Sequence, residues 1–116
     1  MNESTAFIVR LPARHEHVQQ LEQGMLGILD AMAEEPDFVS CYLHQPPDDP
    51  DTFVLYEVWA CSREHFLRHH LGKPYRQAYE ASLGQWLREE RSIQFLDLKR
   101  SHHAAPRVTQ PRARHA

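Results

Sequence analysis

One segment, residues 53–59, constrains the fold of this chain more than any other. It reads Phe-Val-Leu-Tyr-Glu-Val-Trp and is apolar or aromatic at every position except Glu57, which is typical of a strand buried on both faces. Because an ionisable group is costly inside such a strand, Glu57 either pairs with a base such as Arg10 or Arg76 or faces a pocket. A sheet that contains this strand needs a cover on each of its two faces.

The other predicted elements follow an order that belongs to a small set of folds. Strands are predicted at 6–11, 38–45, 53–60 and 92–98, and helices at 14–34, 63–70 and 74–89. Pro12, Pro36 and the proline-rich loop 46–51 separate them. The order β-α-β-β-α-α-β predicts an α+β fold of the ferredoxin-like, split β-α-β type, with a four-stranded antiparallel sheet and its helices on one face.

The second face of this sheet needs a different cover. Val54, Tyr56 and Val58 alternate with the core side of the strand and would form an exposed apolar surface, which monomeric proteins avoid. Two such sheets packed face to face remove that surface from water. We therefore predict a homodimer, in the arrangement called a dimeric α+β barrel.

The distribution of charge divides the chain into a folded domain, 1–99, and a tail, 100–116. All 16 acidic residues and eight of the 13 basic ones precede Lys99, whereas the bases from Lys99 onward have no acid among them. The tail also holds Pro106 and Pro111 and almost no large apolar residue, so we predict that it is disordered. Since it has no aromatic residue to stack on bases, we predict a solvated tail rather than a nucleic-acid-binding one.

The hydropathy of the chain, its first residues and its two cysteines bear on where the protein is located. No window approaches the ~18 apolar residues of a membrane span, and the first residues lack the pattern of a signal peptide. Cys41 and Cys61 are too far apart for a CxxC motif, and we interpret them as reduced, packed thiols, with a disulfide as the alternative. These features predict a cytoplasmic protein that does not contact membrane.

A tryptophan and several histidines form the candidate site. Trp59 ends its strand, and the next helix carries His65, His69 and His70 back over it. His65 and His69 lie one turn apart, while His70 points about 100° away. Each has an ordinary alternative: Trp59 as core, His69 as a surface residue near a helix end. The His65–His69 pair could chelate a metal, but no acid or third histidine is placed to complete the set, so we predict no metal.

This region resembles one known family. The run Tyr56-Glu57-Val58-Trp59, followed by a short helix ending in His and then by Pro74 and Tyr75, is similar to the antibiotic biosynthesis monooxygenase family over residues 5–98. The resemblance implies a dimeric α+β barrel. It also implies cofactor-free oxygenation of quinols or phenols in some members, haem breakdown in others and non-oxygenase roles in many. The Trp-to-Pro stretch is slightly longer here, so His69 is our first assignment to the family's histidine position and His70 the second.

The resulting functional prediction is a monooxygenase that oxidises a small quinol or phenol with dioxygen and no cofactor. Its catalytic residues are predicted to be His69 as the base, His70 as the second candidate for that role, and Trp59. The predicted substrate contacts are Phe53, Tyr42, His65 and Tyr75, although Tyr75 also fits the helix core. The alternative is a dimeric small-molecule binding or isomerase-like module. A haem-degrading relative ranks lower, because strand 7–11 lacks a polar amide.

Overall fold

A computed structural model of the protein describes residues 3–106 and confirms the predicted order of elements. The strands and α-helices of this range are, in chain order, β1 Thr5–Pro12, α1 Val18–Met32, β2 Phe38–His44, β3 Thr52–Trp59, α2 Arg63–His69, α3 Gln77–Trp86 and β4 Ser92–Leu96. A short 3-10 turn precedes α1 at His15–His17, and another precedes α3 at Pro74–Arg76. The helices α1 and α3 begin later than predicted, because a 3-10 turn precedes each one, and they end two and three residues earlier than predicted. Strand β4 ends at Leu96 rather than at residue 98.

The sheet is antiparallel throughout, with the strand order β2-β3-β1-β4. Strand β1 pairs with both β3 and β4 and so lies inside the sheet. The predicted α+β, ferredoxin-like fold is therefore confirmed.

The helices cover one face of this sheet and form the core with it. Alternation along the strands places every second side chain on that face, and α1 contributes one apolar stripe. The buried residues of this core from β1, β3 and α1 are Phe7, Val9, Leu11, Phe53, Leu55, Trp59, Leu21, Met25, Ile28 and Met32.

Helices α1 and α3 approach each other closely at Gly24. A Cβ atom at this position would lie 3.0 Å from two ring carbons of Trp86, so the glycine makes room for the indole. Gly27, which lies nearly one turn further along α1, has open space around it. Only the first of the two glycines is explained by packing.

The other face of the sheet carries apolar side chains in contact with solvent. Tyr42 is 60% exposed and Tyr56 36% exposed, and the half-buried Val54 and Val58 lie on the same side of β3. Tyr42 pairs with Tyr56 across β2 and β3, so the two rings form one patch. The predicted two-sided apolar character of β3 is thus present in the fold.

Beyond β4 the chain has no regular structure as far as residue 106. Residues 100–106 are all exposed, and the rest of the predicted tail, 107–116, lies outside the described residues. Within 3–106, the helices are too short and too polar to cross a bilayer.

Candidate functional site

The candidate site is built around Trp59, the last residue of β3. Its indole is 1% exposed and is enclosed by three rings. The ring centroids of Phe38, Phe66 and His70 lie 5.3, 5.2 and 4.4 Å from that of Trp59. His70 is the nearest of the three and is inclined by 34°, so an imidazole and an indole are in offset contact inside the core.

Helix α2 brings His70 rather than His69 to this position. Its N-terminus is fixed by Ser62, whose Oγ accepts a hydrogen bond from the backbone N–H of His65 at 3.0 Å. Phe66 is the buried anchor of the helix, and His70 follows it by four residues on the same face. His69 is exposed and lies on His65, with ring centroids 4.2 Å apart. The geometry therefore favours our second candidate over our first as the partner of Trp59.

Asp37 holds two of the three histidines. Its Oδ2 lies 3.0 Å from Nε2 of His70 and 3.1 Å from Nε2 of His65. The hydrogen bond with His70 lowers the pKa of Asp37; burial opposes this effect and the charge of His65 adds to it. The carboxylate is consequently ionised near neutral pH and orients both imidazoles.

Asp37 reaches this place through the backbone. It lies in the turn between α1 and β2, and its carbonyl accepts a hydrogen bond of 2.6 Å from the N–H of Ala60, directly after β3. This bond ties the turn to the strand end that carries Trp59. The sequence gives no local signal for it, because Asp37 and His70 are 33 residues apart.

The other ring nitrogen of His70 has no partner. Nδ1 is buried and makes no hydrogen bond with any residue in the described range 3–106. With a proton on Nε2 for Asp37, Nδ1 presents its lone pair in a desolvated environment. A proton acceptor is thereby held next to an aromatic wall.

Glu57 lies on the same face of β3 as Trp59 and hydrogen-bonds to this residue. Its Oε1 accepts a hydrogen bond from the indole Nε1 of Trp59 at 3.0 Å, and Arg10 belongs to the opposite face of the sheet. Burial raises the pKa of Glu57, against the hydrogen bond from Trp59 and the positive charges of Arg76 and Arg91. Of the two predicted options, Glu57 points into the interior, where it orients the indole.

A cationic cluster lies next to the end of α2. Glu80 Oε2 accepts from Arg91 Nη1 at 2.8 Å and from Arg76 Nη2 at 2.9 Å, whereas Arg76 Nε is buried and has no hydrogen-bond partner among residues 3–106. A cavity of about 230 Å³ opens beside it. Its lining residues are Leu71, Gly72, Lys73, Arg76, Gln77 and Glu80, and Leu71 directly follows His70.

Three predicted substrate contacts lie away from Trp59 or are engaged elsewhere. Phe53 is buried at the opposite end of β3, across from Leu11. Tyr42 belongs to the open face of the sheet, so its side chain is on the other side from Trp59. Tyr75 is half-buried and donates its hydroxyl to Glu35 at 3.1 Å; burial, helped by this bond, raises its pKa to about 12.

Both cysteines are free thiols in different surroundings. Cys41 pairs with Glu57 across β2 and β3, and burial together with that carboxylate raises its pKa to about 12. Cys61 follows β3, and its sulfur lies with the donor atoms of Asp37 and His70 in a group in which all three atoms are within 4.8 Å of one another. Such a group has the composition of a metal site.

The comparisons with known proteins agree with this architecture. The family model described as antibiotic biosynthesis monooxygenase matches residues 5–81. Three similar solved structures are Rv0793 from Mycobacterium tuberculosis (21% identity, 87% of this chain and 100% of that chain, TM-score 0.77), PA3566 from Pseudomonas aeruginosa (18%, 84% and 95%, 0.74) and SnoaB from Streptomyces nogalater (18%, 85% and 96%, 0.72). SnoaB is described as a cofactor-independent oxygenase. No curated protein sequence gives a significant match.

Proposed function

The chain belongs to the antibiotic biosynthesis monooxygenase family, and we propose that it is a cofactor-independent monooxygenase that oxidises a small quinol or phenolic aromatic with dioxygen. One observation carries the proposal: His70 lies against Trp59 with Nε2 held by Asp37 and with Nδ1 buried and unpartnered. The similar fold of SnoaB, which is described as a cofactor-independent oxygenase, is consistent with this reaction.

His70 is the proposed general base. Asp37 holds the proton of the neutral ring on Nε2 and can stabilise the imidazolium that forms when Nδ1 accepts a proton. Trp59 is enclosed by rings in this structure, and we propose that it contacts the aromatic ring of the substrate once the segment after His70 has moved; Glu57 fixes the indole through its hydrogen bond. Deprotonation in a desolvated site produces an electron-rich phenolate next to this wall.

The oxidation then proceeds between substrate and dioxygen. The phenolate gives one electron to dioxygen, and the resulting radical and superoxide combine to form a carbon–oxygen bond. Cleavage of the O–O bond leaves one oxygen atom on the substrate as a carbonyl. The other oxygen atom leaves as water, with the hydrogen of the oxidised ring carbon and the phenolic proton that His70 accepted. A phenol and O₂ thus become a quinone and H₂O, and His70 returns to its neutral form.

The cavity beside α2 is the proposed entrance. It is lined by the segment Leu71–Lys73, which links His70 to the turn before α3, and by Arg76. Because Nδ1 is enclosed, we propose that this segment moves when the substrate enters. The guanidinium of Arg76, with its free Nε, would stabilise negative charge on the phenolate or on superoxide.

Oxygen consumption tests the proposal. Chelator-treated protein is mixed with a panel of hydroquinones and anthrones in an oxygen electrode, and isotopically labelled dioxygen is followed into the product by mass spectrometry. We expect catalysed uptake and one labelled oxygen atom in the product. Tight binding of a panel compound without oxygen uptake would contradict the proposal and support a binding or isomerase-like module.

We also propose that the open face of the sheet joins a second copy of the chain. The exposed Tyr42, Tyr56 and Leu96 and the half-buried Val54 and Val58 lie on this face, and β1, which lies between β3 and β4, joins them through its half-buried Ala6 and Ile8. At roughly 25 cal/mol per Å², burying such a surface stabilises a dimer by several kcal/mol after association costs. Light scattering at micromolar concentration should give twice the chain mass. A monomer at that concentration would contradict the dimer.

A further inference from the structure

The junction of β3 and α2 gathers four side chains of metal-ligating chemistry. We propose that Asp37, Cys61, His65 and His70 form a binding site for one divalent transition-metal ion of the zinc class. Three of the residues come from the short stretch 61–70, and Asp37 comes from the turn before β2. From the sequence, His65 and His69 were considered as the chelating pair of histidines, and we predicted no metal. In the structure His70 rather than His69 lies with His65 at Asp37, and Cys61 adds a thiol.

The donor atoms already lie close to the distances that a metal requires. Asp37 Oδ2 is 3.0 Å from His70 Nε2 and 3.1 Å from His65 Nε2. Metal–ligand bonds of about 2.0–2.3 Å in a tetrahedral site separate oxygen, nitrogen and sulfur ligands by about 3.3–3.6 Å. The donor atoms of Asp37, Cys61 and His70 are all within 4.8 Å of one another. Small side-chain movements of Asp37, Cys61 and His70 are therefore sufficient to hold an ion, and His65, which lies 3.1 Å from Asp37 Oδ2 but outside this three-atom group, would turn toward the ion as the fourth ligand.

The chemistry of the four donors selects the class of ion. One thiol, two imidazoles and one carboxylate form a mixed sulfur, nitrogen and oxygen set, which suits Zn²⁺ and Co²⁺ and disfavours Mg²⁺ and Ca²⁺. A thiolate and a carboxylate together balance the charge of a divalent cation. Both anionic ligands are held by backbone contacts of the fold rather than by flexible segments.

These backbone contacts pre-organise the ligands. The N–H of Ala60 donates to the carbonyl of Asp37 at 2.6 Å, and the buried hydroxyl of Thr5 donates to the carbonyl of Cys61 at 2.7 Å. His65 and Asp37 have side chains that are 43% and 32% exposed, so an ion can reach the site from solvent. The backbone of Asp37 and Cys61 is thus fixed by hydrogen bonds, while the side chains of His65 and Asp37 are accessible to solvent.

The metal site and the proposed oxygenase reaction are separable. A metal ion on Nε2 of His70 leaves the proton of the neutral ring on Nδ1, so the metal-bound chain lacks the base proposed above. For this reason the oxygen-uptake assay uses chelator-treated protein. Metal binding itself is read by spectroscopy and does not require that the protein has any enzymatic activity.

Cobalt titration of the full-length, chelator-treated protein tests the site. Co²⁺ bound by a thiolate gives a charge-transfer band in the near ultraviolet and intense visible bands when the geometry is tetrahedral. We expect both signals to saturate at one Co²⁺ per chain and to disappear when Zn²⁺ is added. The melting temperature should rise with Zn²⁺ and return to its starting value with a chelator.

Matched substitutions locate the ion. Cys61→Ser should abolish the charge-transfer band, whereas Cys41→Ser, which changes the other free thiol, should retain it. His65→Ala should weaken binding by ~100-fold or more, while His69→Ala, which removes the exposed neighbouring ring, should leave it unchanged. Circular dichroism of each variant shows that it is folded.

Two results would overturn the proposal. Folded wild-type protein without a cobalt signal would show that the cluster is only an ion pair between Asp37 and the histidines. A charge-transfer band that survives Cys61→Ser would place the metal elsewhere.

Discussion

The two ends of β3 bury an aromatic ring equally well but surround it with different polar groups. Phe53 is 2% exposed and Trp59 is 1% exposed. Next to Phe53, Thr52 donates to Asp49 at 2.7 Å, and Arg88 donates to both residues, so the polar groups there satisfy one another. Next to Trp59, the ring of His70 retains a buried nitrogen that has no hydrogen-bond partner in the part of the chain that the structure describes.

This difference separates a structural end of the strand from a candidate site. Buried polar groups in folded proteins are almost always hydrogen-bonded, so an unpartnered acceptor requires an explanation, and binding of a ligand is one. Burial of an aromatic ring carries no such information. Both Phe53 and Trp59 fit the sequence prediction of a substrate wall, but only the surroundings of Trp59 suit that role.

Removal of the His70 ring should have the largest effect. We expect His70→Ala to lower turnover of the oxygenase reaction by ~10²-fold or more, the usual scale for loss of a general base. Steady-state oxygen uptake with the best panel substrate measures it. His69→Ala is the matched control, since it deletes an exposed imidazole from the adjacent position, and it should remain within about twofold of wild type. Equal losses in the two variants would remove the distinction between them.

Conservative changes at the two ends of β3 should separate stability from substrate binding. Phe53→Leu should lower the free energy of unfolding by ~1–2 kcal/mol and leave KM unchanged. Trp59→Phe should lower it by a similar ~1–3 kcal/mol, because Glu57 loses its hydrogen-bond donor, and should also raise KM. Denaturant titrations and oxygen-uptake kinetics on the same preparations provide both quantities. A raised KM for Phe53→Leu would place substrate at the wrong end of the strand.

The sequence was sufficient to predict the fold because each element has a local signal. Apolar alternation marks β3, a stripe at helical spacing marks α1, and the order of elements selects the topology. The inward face of α2 could also have been assigned, since His70 is four residues after Phe66, the large apolar residue of that helix. We gave more weight to the family's spacing and therefore ranked His69 first.

The partners of His70 could not have been predicted. Asp37 and Cys61 reach it through tertiary contacts, and no periodic pattern connects residue 37 with residue 70. Glu57 illustrates the same limit. An ion pair with Arg10 or Arg76 was the natural expectation, but the indole two residues further along the strand is its hydrogen-bond donor.

Glu57 offers a smaller test of the polar end of β3. Burial raises the pKa of Glu57, so the folded chain keeps the proton of this carboxyl group at pH values where the unfolded chain has released it. The contribution of Glu57 to the free energy of unfolding therefore becomes less favourable as the pH rises from the pKa of the unfolded chain to that of the folded chain. Glu57→Gln keeps an acceptor for Trp59 and should be more stable than wild type by ~1 kcal/mol near neutral pH. The advantage should vanish below about pH 4, where both states are protonated. A variant that is less stable at neutral pH would indicate a stabilising ion pair instead.

The predicted tail should have the smallest effect. Truncation after Arg100 removes residues 101–116, and those that the structure describes, 101–106, are exposed and have no regular structure. We expect the melting temperature to change by only about one or two degrees. A large decrease in a thermal scan would mean that the removed segment packs on the domain or on its partner.

The central claim is that Asp37 holds the proton of His70 on Nε2 and leaves Nδ1 as an acceptor beside Trp59. Long-range nitrogen–proton NMR spectra of the metal-free protein, with His70→Ala to assign the signals, measure this tautomer directly. For the neutral ring we predict the chemical shift of a protonated Nε2 and of an unprotonated Nδ1, and loss of this preference in Asp37→Asn. A neutral His70 with its proton on Nδ1 would contradict the account.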